Sequence, residues 1–164
     1  CIITGSGKSN TVAVLLNQGD GTFADPVSYT TGHGPSDIAV GDINLDGTAD
    51  LAVTNINTSS VSVLTGNADG TFNTATQYQV GWSPTGVVIG DVNDDNRPDL
   101  VVSNDGADSI SVLLANAEGG FHAKADYPAG NGPQGLVQAD FDGDGAINIW
   151  EIDQDQNLVE VVKD

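Results

Sequence analysis

The stretch GDINLDGTADLAV, residues 41–53, decides how the rest of the chain is read. It sets oxygen-bearing side chains at the first, third, fifth and ninth positions of one loop: Asp42, Asn44, Asp46 and Asp50. Gly47 permits a sharp turn, and Thr48 adds a backbone carbonyl. A hard cation takes about six to eight oxygens at roughly 2.3–2.6 Å, so neighbouring carboxylates serve it only when the backbone wraps around the ion. With no ion the same carboxylates face one another at short range, which is electrostatically costly. The loop is therefore a candidate divalent-metal site.

Such loops begin at Asp42, Asp91 and Asp140, a constant step of 49 residues. The second offers Asp91, Asn93, Asp95 and Asp99, with the carbonyl of Arg97; Asn96 stands at the turn, where asparagine tolerates a left-handed backbone. The third offers Asp140, Asp142, Asp144 and Asn148, with the carbonyl of Ala146 and a turn at Gly145. Its last ligand is an amide, so a weaker site is expected. The same step relates Phe23, Phe72 and Phe121; Tyr29, Tyr78 and Tyr127; Gly32, Gly81 and Gly130; and Pro35, Pro84 and Pro133. Agreement over so many positions marks an internal repeat.

Each period divides into four short strand-like segments with turn residues between them. In the second unit these are Ile38 to Ile43, Leu51 to Thr54, Val61 to Leu64, and Phe72 to Val80, the last opened by the turn 67–70. Four strands in 49 residues is the size of one propeller blade. The expected fold is all-β, an incomplete, open propeller of four-stranded antiparallel blades or part of a larger assembly. One repeat domain spans 1–164, with a partial blade over 1–35, blades over 36–84 and 85–133, and a partial blade over 134–164. Phe72 and its equivalents are expected to fill the space between blades, with Tyr78 nearby, because each unit needs a neighbour to cover its apolar face.

Charge narrows the partners. Against 23 acidic residues stand four basic ones, a net charge of −19 that repels phosphate backbones and anionic membranes. Nucleic acid is excluded as a partner, and no apolar run is long enough for a membrane span. Bound cations would offset the self-repulsion where the carboxylates cluster. One cysteine, Cys1, forms no internal disulfide, and the chain contains no Met. In the repeat register Cys1 corresponds to Asp50, and no equivalent of the Phe72 to Val80 segment follows Val162. The register therefore suggests a processed product or a fragment, with any targeting segment lying outside it.

The stretches GDINLDGTADLAV (41–53), GDVNDDNRPDLVV (90–102) and, less fully, ADFDGDGAINIW (139–150) resemble the FG-GAP or VCBS repeat family. GDGTF (19–23), ADGTF (68–72) and EGGF (118–121) recur where that family places them, so the resemblance covers nearly the whole chain. It implies propeller blades whose calcium loop joins the first two strands, and an extracellular or cell-surface setting. Two or three calcium ions are then expected.

Rival motifs are weighed against this. Asp140, Asp142, Asp144, Gly145, Ile147 and Glu151 also satisfy EF-hand spacing, which requires a helix to follow; the register of Val159 and Val161 with Ile110 and Val112 favours a strand. Gly5-Ser6-Gly7-Lys8-Ser9 ends like a phosphate-binding loop, but the earlier glycine that such a loop needs falls at Ile2. Trp82 and Trp150 are expected to be buried between blades rather than stacked on sugar, and His33 and His122 to be solvated or structural. No catalytic residue is assigned. The expected function is a non-catalytic calcium-binding module for adhesion, ligand binding or structural assembly, its partners a protein or carbohydrate ligand or further copies joined head to tail. The alternatives are a self-assembling extracellular filament subunit and an accessory domain of a polysaccharide-active enzyme.

Overall fold

The computed structural model describes residues 2–6, 9–140 and 147–162. They form four antiparallel sheets, each a meander in which sequence neighbours pair. The first holds β1 (Ile2–Ser6), β2 (Thr11–Leu15) and β3 (Val27–Thr30). The second holds β4 (Pro35–Gly41), β5 (Asp50–Asn55), β6 (Ser60–Leu64) and β7 (Thr76–Gln79). The third repeats it with β8 (Pro84–Gly90), β9 (Asp99–Asn104), β10 (Ser109–Leu113) and β11 (Ala125–Pro128). The fourth holds β12 (Gly135–Ala139), β13 (Asn148–Ile152) and β14 (Leu158–Val162). These are propeller-type blades in an open array.

Strands β5, β6 and β9 are buried at every residue. Side chains alternate across a strand, so a strand covered on both faces is apolar at its centre, and its polar ends, Asp50 and Asn55 or Asp99 and Asn104, must find hydrogen-bond partners. Leu51 and Val53 turn toward the first blade and pack with Val12, Val14 and Leu64. Ala52, between them in sequence, turns the other way and joins Val61, Val63, Val87, Leu100, Val102 and Leu113. The scheme continues one blade on, where Val101, Ile110 and Val112 pack with Ile149.

Side chains also stitch blade to blade. Ser36 Oγ donates to the carbonyl of Pro84 at 2.9 Å, and its repeat equivalent Thr85 donates to Pro133 at 2.9 Å. The Val87 amide donates to Asp37 at 3.0 Å, and Gln138 Nε2 to the Ile89 carbonyl at 2.6 Å. The prolines begin or precede the leading strands, where no ladder donor is lost.

Three expectations change, and one alternative falls away. The last strand of the second unit begins at Thr76 instead of Phe72: Phe72 makes an isolated bridge to Gly66, whose own amide is claimed by Asp50, and this breaks the ladder. Phe72 does fill the interblade space, but its aromatic partner is Tyr29 of the preceding blade, at 5.4 Å and 77°; Tyr78 instead meets Phe121, at 5.1 Å and 86°. Trp82 is 69% exposed, because it lies in the link between β7 and β8, above the interblade packing. Strand β13, with no helix, follows the third loop, and Glu151 within it is fully buried, which removes the EF-hand alternative.

Candidate metal centre

The first two acidic loops join β4 to β5 and β8 to β9. Each wraps on two left-handed residues, Leu45 (φ 60°) and Gly47 (φ 84°) in the first and Asp94 (φ 57°) and Asn96 (φ 62°) in the second. The turn at Gly47 and Asn96 was legible in the sequence. The one at Leu45 was not, since a left-handed leucine costs about 1–2 kcal/mol.

The two loops share a common set of hydrogen bonds. In the first, the Asp46 amide donates to Asp42 Oδ1 and Asn44 Oδ1, both at 3.0 Å, so two candidate ligand oxygens converge on one N–H. The Gly47 amide donates to Asp42 Oδ2 at 2.9 Å, and Asn44 Nδ2 to Asp46 Oδ2 at 2.9 Å. The Thr48 amide donates to Asp46 Oδ1 at 2.8 Å, and the Thr48 hydroxyl donates to the same oxygen. In the second, the Asp95 amide donates to Asp91 Oδ1 at 3.1 Å and Asn93 Oδ1 at 3.2 Å, and the Asn96 amide to Asp91 Oδ2 at 2.7 Å. The Thr48 hydroxyl, then the Asn44 amide, hold the Asp46 carboxyl below its ordinary pKa.

Asp50 and Asp99, the ninth residues, sit apart from this. Both are fully buried. Asp50 Oδ2 accepts from the amides of Ile43 at 2.9 Å and Asn44 at 3.3 Å, while Oδ1 accepts from Gly66 at 2.7 Å. Asp99 accepts from Val92 at 3.1 Å and Ala115 at 2.8 Å. Each carboxylate thus pins the start of its loop and the end of the third strand to the second strand. Burial pushes the Asp99 carboxyl up, and repulsion from Asp95 and Asp91 adds to this, against the lowering by the Ala115 and Val92 amides.

The donor set is oxygen only, which suits a hard cation such as calcium. Asp42 and Asn44 are brought together on the Asp46 amide and the Asp46 carboxylate is joined to Asn44, whereas no three acidic, His or Cys side chains among the described residues converge as a metal cluster. Asp42 Oδ1, Asn44 Oδ1 and Asp46 Oδ2 each keep a further lone pair beside the N–H that they accept, so the loop's own hydrogen bonds leave room for a cation. Of the third loop, Asp142, Asp144 and Ala146 lie outside the described residues; Asn148 is buried at the start of β13 and Asp140 is exposed.

Arg97 carries a function that sequence reasoning missed. Beyond its backbone carbonyl, its guanidinium bonds Asp95 Oδ2 at 2.5 Å, placing a fixed cation on a candidate ligand. Arg97→Thr, which copies Thr48, is expected to strengthen divalent-ion binding at the second loop about two- to fivefold, the scale of a partly exposed ion pair; calorimetry of the variant checks it. No change, or weaker binding, would show that the guanidinium does not compete there.

The fold has relatives among solved structures. A virginiamycin B lyase from Staphylococcus aureus, crystallised in catalytically inactive form with quinupristin, superposes with a TM-score of 0.58 at 16% identity, over 96% of this chain and 53% of that one. A protein from Lactobacillus plantarum superposes with a TM-score of 0.57 at 21% identity, over 93% of this chain and 49% of that one. This chain spans about half the length of either, and at such identities the likeness is one of fold. None of the curated proteins matches it in sequence. The profile of the FG-GAP-like repeat matches three times, over residues 2–53, 46–102 and 91–150. With the loops, blades and repeat register agreeing along its length, the chain belongs to the FG-GAP-like repeat family.

Proposed function

We propose that this chain is a non-catalytic, calcium-binding module of an extracellular or cell-surface protein, presenting its blades for adhesion or for a protein or carbohydrate ligand. The observation that carries the reading is the twice-repeated oxygen-only loop, in which the side-chain oxygens of Asp42 and Asn44, or of Asp91 and Asn93, converge on the amide of Asp46 or Asp95, whose own carboxylate is held beside them by Asn44 or Asn93. An ion held there would offset part of the −19 charge and tie the first two strands of its blade together. The carbonyls of Thr48 and Arg97 would complete the set. Catalysis finds no support in Glu151, an acid raised by burial, because it is sealed from solvent and reaches no substrate.

Calorimetric titration of calcium, with melting and particle size recorded on the same samples, tests this reading. Two or three bound ions and a melting point that rises with calcium are the expected result. No heat of binding and an unchanged melting point would reduce the loops to acidic turns.

A second reading, self-assembly, is favoured by the outward face of the last blade. Val137 is 48% exposed and Ile152 47%, and Val137 is paired with Trp150 across the sheet. These residues lie on the face opposite Ile149, which is buried against the third blade. A calcium-dependent increase in particle size supports assembly, and a constant monomer mass excludes it.

A further inference from the structure

The outer rim carries the same groove twice. One groove, of about 200 Å³, lies between the first two blades. Its floor is the edge-to-face pair Tyr29 and Phe72, and its rim is Ser28, Thr30, Asn73 and Thr74. The other, of about 380 Å³, lies between the second and third blades. There the floor is Tyr78 and Phe121, and the rim includes Gln77, Gln79, His122 and Lys124. Each residue in the first groove stands 49 positions before its counterpart in the second.

The lining indicates what fits. The chain has 23 acidic residues, yet neither groove is lined by one. The one cation, Lys124, is held by Asp126, so both grooves are close to neutral. Aromatic surface lies at the bottom, and the rim carries hydroxyl, amide and imidazole groups. The side chains of Ser28, Thr30, Thr74, Gln79 and His122 make no hydrogen bond to other described residues, leaving donors and acceptors for a ligand. An apolar face ringed by hydroxyls is the mirror of this surface, and a pyranose has that form. A charged ligand gains nothing from such a lining.

We propose that the two grooves are repeated subsites for sugar units of a neutral glycan. This deepens the binding-module reading by naming a ligand class and its place, and it does not depend on calcium in the loops. Recurrence adds to the argument, because equivalent subsites on one rigid array gain avidity for a polymer that repeats its own unit. An extended peptide would instead pair along the open edges of β3 and β7.

The test is an NMR titration of the full chain with neutral hexose oligosaccharides, with uronic-acid oligomers and an acidic peptide as comparison probes. Neutral oligomers are expected to shift resonances of both aromatic pairs, longer ones binding more tightly than short ones. Thr74→Arg and Ala123→Arg change equivalent exposed rim positions; each is expected to weaken its own groove about tenfold, with the melting point unchanged. The proposal is overturned by no binding at millimolar oligosaccharide, by shifts elsewhere on the molecule, by undiminished binding in the double variant, or by preference for the charged oligomers or the peptide. Calcium titration of the same samples keeps the outcomes apart: groove binding without calcium binding would sink the metal reading alone, and the reverse would sink this one.

Discussion

Asp50→Ala is expected to lower stability by about 3–5 kcal/mol, the range for stripping a buried charged acceptor from its partners. The side chain is fully buried, and its loss leaves the amides of Ile43, Asn44 and Gly66 without their acceptor. For a chain of this size that loss corresponds to a fall in melting temperature of about 10 °C. Asp50→Asn should do nearly as badly, because an amide nitrogen would then face backbone donors. The decisive measurement is melting in the presence of chelator. If the variant melts like the parent there and differs only when calcium is present, then Asp50 acts as an ion ligand and the anchoring role assigned to it is wrong.

The second large effect has the opposite sign. Glu151 occupies the position at which the preceding units carry Val53 and Val102. One of its oxygens accepts from the Gly130 amide at 2.6 Å, and the other is buried without a hydrogen-bond partner. Burial is the main cause that raises its pKa, and repulsion from Asp153 adds to it, against the lowering by the Gly130 amide. The folded state thus holds the proton more tightly than the unfolded one. The stability this group contributes is fully present below the ordinary glutamate pKa and is lost as pH rises through the raised value. Glu151→Gln keeps the acceptor for Gly130 and removes the titration. It is expected to stabilise the chain at neutral pH by about 1–3 kcal/mol, with the gain vanishing near pH 4, around the unfolded glutamate pKa. Denaturant melts at the two pH values decide the matter; a variant equally stable at both, or weaker than the parent at neutral pH, would refute the account.

What could be read in advance follows a physical division. Strand order and loop position were legible because strand-like segments and a 49-residue step leave marks at every unit. The anchoring role of the ninth loop residue was not. Asp50 and Asp42 are the same residue type a few positions apart, and only the fold reveals that one meets the Gly66 amide across the sheet while the other faces its own loop. Tyr29 could not be assigned to Phe72 for a similar reason, since a repeat pattern gives the partner's kind without saying which unit supplies it. Trp82 was misjudged because bulk and apolarity suggest a core, whereas its place in a link between sheets leaves it outside. The buried Glu151 shows up in sequence only as an acid within a strand, where alternation would equally allow it to face solvent.

The bonds from Ser36 to Pro84 and from Thr85 to Pro133 have an evolutionary consequence. The third blade carries both a hydroxyl for the unit ahead, on Thr85, and a carbonyl for the unit behind, on Pro84, so a duplicated copy of that 49-residue segment arrives with both halves of its interface in place. Lengthening of the gene by whole units then requires no compensating mutation elsewhere. In such an array the number of blades becomes a heritable dimension, open to selection separately from the design of any single blade.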